Sequence, residues 1–114
     1  MSNQREKLMQ IEVTGQNMDI TQALRAYVSE KSKRLERRVD NLMSARFVLS
    51  LQKVRHVAQG TLTISGRPQP IHAEADAEDM YAAIDALMDR LDKRVRRYKS
   101  KLTTQRQAPP AEGL

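Results

Sequence analysis

Two histidines, His56 and His72, and a run of carboxylates, Glu74, Asp76, Glu78 and Asp79, are the side chains of this 114-residue chain whose types best suit metal binding or proton transfer. One histidine falls in an expected turn and the other on the polar side of an expected strand, without the paired spacing of a zinc site. Magnesium favours carboxylates, but a nuclease centre also needs a pocket and a positioned base. Capping of a following helix accounts for Glu78 and Asp79. Cysteine is absent, which excludes disulfides, thiolate metal sites and thiol catalysis. With no phosphate-binding glycine loop and no nucleophile motif, no catalytic residue, metal site or cofactor is expected.

The denser chemistry is cationic. Between Arg90 and Lys101 stand seven Lys and Arg against one anion, Asp92. At 100° per residue, Arg90, Lys93, Arg94, Arg97 and Lys101 fall within about a third of a helix circumference and flank its apolar stripe. An earlier segment supplies Arg25, Lys31, Lys33, Arg34, Arg37 and Arg38 against Glu30 and Glu36, with Lys33, Arg34 and Arg37 in a neighbouring sector. Two such helices side by side would share a surface able to track a phosphate backbone, since counterion release favours binding whatever the base sequence. The stretch Glu74 to Asp89 carries six acids and no Lys or Arg. Acid leading and base trailing also suits the helix macrodipole, so part of the pattern is structural. Aromatics are few, and none forms the paired strand platform on which unpaired bases stack. Base stacking is therefore not expected, although Tyr98 lies where the apolar stripe meets the basic ridge.

These cations need a scaffold. Alternation over Leu8–Thr14, with Met9, Ile11 and Val13 on one side, predicts a strand ended by Gly15. Ile20, Leu24, Tyr27, Val28, Leu35 and Val39 recur at helical spacing after Asp19 or Thr21 as N-cap, predicting a helix over about Thr21–Val39 in which Lys31 snorkels past the core edge. Ala45, Phe47, Leu49 and Leu51 mark a second strand, and Leu62 and Ile64 a third, joined near Lys53–Val57. After a turn at Gly66–Gln69, Ile71, Ala73 and Ala75 face inward and His72, Glu74 and Asp76 outward. Met80, Ile84, Leu87, Met88, Leu91, Val95, Tyr98 and Leu102 stripe a second helix from about Glu78 to Leu102.

The expected fold class is α+β, ordered β-α-β-β-β-α: a four-stranded mixed sheet with both helices on one face, the first strand pair parallel across its helix crossover. Residues 1–7 are expected to be a flexible extension, 8–102 the folded domain and 103–114, with two prolines and a glycine, a disordered tail. A content of 39% hydrophobic and 30% charged residues fits one core. The net charge of +6 biases the chain toward polyanions. No apolar run approaches a membrane span or a signal-peptide core, so a cytoplasmic location is expected.

Asp79-Met80-Tyr81-Ala82-Ala83-Ile84-Asp85, opening a long helix that turns basic, resembles the short ribosome hibernation-promoting factors and the related ribosome-associated inhibitor, protein Y. Met9-Gln10-Ile11-Glu12-Val13-Thr14-Gly15 and Asp19-Ile20-Thr21-Gln22-Ala23-Leu24-Arg25 support the resemblance, which covers about Met9 to Leu102. It implies a fold similar to double-stranded-RNA-binding domains. It further implies a site on the ribosomal RNA of the small subunit, in the path of mRNA and tRNA, where such proteins hold idle ribosomes inactive under stress and in stationary phase. Short factors favour ribosome dimers together with a separate ribosome modulation factor, whereas protein Y keeps ribosomes monomeric; the short tail fits the former better. A protein-interaction module and a general duplex-RNA binder are the alternatives the residues leave open.

Overall fold

The computed structural model describes residues 10–107. In chain order they form β1 (Gln10–Gln16), α1 (Gln22–Arg38), β2 (Leu42–Gln52), β3 (Arg55–Ile64), β4 (Ile71–Ala77) and α2 (Met80–Gln107). The four strands lie in the order β1-β2-β3-β4, with β1 parallel to β2 and the other pairs antiparallel. This is the expected α+β architecture. Inward residues meet in rows across the sheet: Phe47 pairs with Gly60 and Gly60 with Ala73, while Leu49 pairs with Ala58 and Ala58 with Ala75. These rows and the stripes of both helices, from Leu24 and Leu35 to Ile84, Leu91 and Val95, form one core. Each buried Leu, Ile or Phe contributes about 1.5–3 kcal/mol of transfer free energy.

Local chemistry sets the ends. Thr21 caps α1, its hydroxyl accepting from the Leu24 N–H at 3.1 Å, and the Val39 N–H closes the last turn on the Leu35 carbonyl. Asp79 caps α2, its carboxylate accepting from the Ala82 N–H at 2.9 Å, so the helix starts at Met80 and not at Glu78. α2 runs on to Gln107, past the expected end near Leu102 and into the segment expected to be tail. The remainder of that tail, residues 108–114, and the leading residues 1–9 lie outside the described residues.

Several expectations need correction. Gly15 does not end β1; it pairs with Leu49 inside the strand, which continues to Gln16. Its glycine character answers a close approach, because a Cβ there would stand 2.4 Å from the Met18 carbonyl oxygen, and the chain turns instead at Asn17, with φ 64°. The β2–β3 connection is shorter than Lys53–Val57: only Lys53, at φ 58°, and Val54 separate the paired Gln52 and Arg55. His56 is therefore a strand residue opposite Leu51. Leu51, expected in the core, is 38% exposed. β1 ends opposite Ser50 and β4 opposite His56, so the hairpin tip, with Val54 84% exposed, extends beyond both neighbouring strands. On α1, the buried position beside Lys31 is taken by Ser32, whose hydroxyl donates to the Ser29 carbonyl. Lys31 is exposed, its ammonium 5.2 Å from the centre of the Tyr27 ring.

Candidate nucleic-acid interface

The crossover makes the helices parallel. Contacts between them climb in step: Tyr27 O–H donates to Asp85 at 2.7 Å, Arg34 to Asp89 at 3.0 Å and Arg38 to Asp92. Both C-terminal ends, with their negative dipole poles, therefore lie at the same end of the sheet, away from the β2–β3 tip. Arg37 and Arg38 in the last turn of α1 and Lys99 of α2, whose ammonium donates to the Arg38 carbonyl at 2.6 Å, offset that pole. Sequence order and topology together place base at one end and acid at the other.

The sequence-predicted cations separate into four groups. Arg94, Arg97 and Lys101 line one cleft with Arg67, Pro70, Ile71, His72 and Tyr98. This cleft, about 230 Å³, lies between the β3–β4 turn and the C-terminal half of α2, and no carboxylate among the described residues lines it. Arg90, on the same flank, turns down to β4 and donates to the Glu74 carbonyl at 2.5 Å, while Lys93 is exposed nearer the crest of α2. Lys31, Arg34 and Arg37 instead line the groove between the helices with Glu30, Asp85, Met88 and Asp89. Lys33 pairs with Glu30 at 3.4 Å on the outer face of α1. Arg25 reaches the opposite edge of the sheet, donating to the Val13 carbonyl on β1 at 3.4 Å.

The two helices therefore do not present one uninterrupted cationic face. Asp85 and Asp89 stand in the seam between them, and Asp89 partly neutralises Arg34. Asp92, which the sequence marks as the lone acid of the basic half, is 6% exposed and held by Arg38 on one side and Arg96, at 3.4 Å, on the other. Cationic charge without a carboxylate partner is concentrated on the β4 side of α2, where no carboxylate among the described residues lies within ion-pair distance of Arg94, Arg97 or Lys101.

Arg67 is a residue that sequence reasoning misses. Gly66, at φ 86°, bends the chain so that the Arg67 guanidinium lies 5.3 Å from the Tyr98 ring centre and donates to the Gln69 carbonyl. A Gly-Arg-Pro segment reads as a turn; only the fold shows that it closes on α2. His72 shares a hydrogen bond with the Thr61 hydroxyl at 2.9 Å. Among the described residues no group of three or more His, Asp or Glu side chains has the arrangement of a metal site, and no helix is long and apolar enough to cross a membrane.

A small α+β domain with two parallel helices on a mixed sheet is a fold this chain shares with solved structures that include a ribosomal subunit interface protein. The solved structure of a ribosomal subunit interface protein from Coxiella burnetii superposes with a TM-score of 0.72 at 28% identity, covering 81% of this chain and 99% of that one. The N-terminal domain of Thermus thermophilus protein Y does so with a TM-score of 0.71 at 38% identity, covering 79% and 99%. The family described as Sigma 54 modulation protein / S30EA ribosomal protein matches residues 11–103, and the chain belongs to it. The ribosome hibernation promoting factor of Escherichia coli K12 is 43% identical over 94 residues, which is 82% of this chain and 97% of that protein.

Proposed function

We propose that this protein is a ribosome hibernation factor. It binds ribosomal RNA of the small subunit through the basic flank of α2, sterically excludes mRNA and tRNA, and so inhibits translation reversibly in the cytoplasm without altering a covalent bond. The observation that carries the reading is the cleft at the C-terminal half of α2, where Arg94, Arg97 and Lys101 converge with Arg67 and no described carboxylate intrudes. Counterion release gives such a surface affinity for RNA backbone. Family membership supplies the ribosome, which charge alone does not name.

Charge reversal at Arg94, Arg97 and Lys101 tests it. Arg90 is left in place because its hydrogen bond to Glu74 gives it a structural task as well. The triple variant keeps its circular dichroism spectrum and loses ribosome co-sedimentation; retained binding at moderate salt refutes the reading. Sucrose gradients with and without ribosome modulation factor then separate promotion of ribosome dimers, the outcome that near full-length similarity to hibernation promoting factors favours, from stabilisation of inactive monomers as in protein Y.

A further inference from the structure

The cleft beside α2 differs from an open basic ridge in having a flat group fixed at its mouth. Arg67 comes from the β3–β4 turn, whereas the other cations come from α2. Its guanidinium is restrained twice, by the Tyr98 ring and by the Gln69 carbonyl. Tyr98 is itself half-buried against the core, so this cation–π contact rests on a rigid support. Held beside the ring by a cation–π contact and only partly buried, the guanidinium keeps surface for a second flat partner, and Arg planes serve as stacking surfaces for bases in RNA recognition.

The cleft's size and lining narrow that partner. At about 230 Å³ it lies below the roughly 300–1,000 Å³ of clefts that enclose a small-molecule ligand. It suits one unit of a longer strand passing over an open mouth. Cations line it on the α2 side and Pro70 and Ile71 on the sheet side, which matches a phosphate on one side and an apolar ring on the other. The larger groove between the helices has carboxylates from Glu30, Asp85 and Asp89 in its lining, which oppose a phosphate.

We propose that this cleft holds one unpaired nucleotide of an RNA strand, its base stacked on the Arg67 guanidinium that Tyr98 backs and its phosphate on Arg94, Arg97 and Lys101. The inference rests on the RNA-binding function proposed above and adds a preference: the surface distinguishes unpaired RNA from duplex, whose bases are stacked internally and out of reach. Arg67 is then a specificity-determining residue, and stacking enters the recognition despite the scarcity of aromatics.

The test is Arg67→Lys, which keeps the charge and removes the plane. Binding of a short adenylate strand and of an RNA duplex with the same number of phosphates is followed by fluorescence anisotropy over a salt series, with ribosome co-sedimentation in parallel. The wild type prefers the unpaired strand; Arg67→Lys weakens strand binding roughly tenfold, the scale of losing one base stack, with the salt slope and duplex binding unchanged. An Arg67→Lys protein that binds the strand as tightly as wild type overturns the proposal, as does a wild type without preference for the unpaired strand. In either case wild-type protein that still pellets with ribosomes leaves the hibernation reading standing, whereas failure to pellet removes that reading itself.

Discussion

Asp92 of α2 accepts a hydrogen bond from Arg38 of α1 and faces Arg96 one turn further along its own helix, with its side chain 8% exposed. Simple charge counting treats it as a blemish on an RNA-binding surface, whose removal improves binding. The geometry gives it another task, tying the C-terminal end of α1 to the middle of α2, where the cations of the two helices would otherwise repel. We expect Asp92→Asn to lower stability by about 1–2 kcal/mol. Arg38 is 41% exposed, so solvent screening keeps the loss below that of a fully buried pair. Urea unfolding reads the stability and co-sedimentation reads the binding. A variant as stable as wild type that binds ribosomes more tightly contradicts this account.

Arg34 and Arg94 are equivalent as sequence, yet Arg34 donates to Asp89 at 3.0 Å while Arg94 lines a cleft without described carboxylates. Removing one cation that neutralises a phosphate lowers the dependence of log affinity on log salt by about 1. Arg94→Ala is expected to give that full reduction in ribosome binding. Arg34→Ala is expected to give a clearly smaller one, because its charge is already partly offset. Equal slopes for the two variants contradict the division of the surface into a free flank and a neutralised seam.

Gly60 allows α2 to approach the sheet. A Cβ at this position would stand 2.8 Å from Leu91 Cδ1 and 3.2 Å from the Phe47 ring, both fully buried. Gly60→Ala therefore overpacks the core, with an expected loss of about 1–3 kcal/mol measured by denaturant unfolding. Leu91→Ala leaves a cavity instead, costing about 2–5 kcal/mol alone. In the double variant the added methyl occupies part of that space, so the combined loss is smaller than the sum. Strict additivity is the contrary result.

Much of the fold is legible in the sequence because burial follows period. Ile71, Ala73 and Ala75 alternate with His72, Glu74 and Asp76 just as the sheet alternates core and solvent, and the stripe from Met80 to Val95 is the buried face of α2. The failures have physical causes. Lys53 adopts a positive φ that no glycine or asparagine announces, so the sequence suggests too wide a hairpin turn and leaves His56 out of β3. Gly15 reads as a terminator because close backbone approach and chain reversal use the same residue. For the interface, periodicity locates the flank of α2 but not what faces it. Arg67 reaches Tyr98, and Asp89 reaches Arg34, across sequence separations that only the fold closes.

Tyr27 makes the helix contact sensitive to alkali. Its hydroxyl donates to Asp85 at 2.7 Å, and this bond, with desolvation and the negative charges of Asp85 and Asp79 adding to it, holds the phenol above its ordinary value near 10. A phenol whose pKa is higher in the folded state than in the unfolded chain retains its proton longer when folded. Its contribution to stability is fully present below about pH 10 and is lost as pH rises through the raised folded value. Wild-type stability should therefore fall more steeply than that of Tyr27→Phe across this alkaline window. Asp85→Asn removes the leading cause, so spectrophotometric titration should show its Tyr27 ionising at lower pH than in wild type. An unchanged titration curve in Asp85→Asn would show that the Tyr27–Asp85 bond does not form in solution.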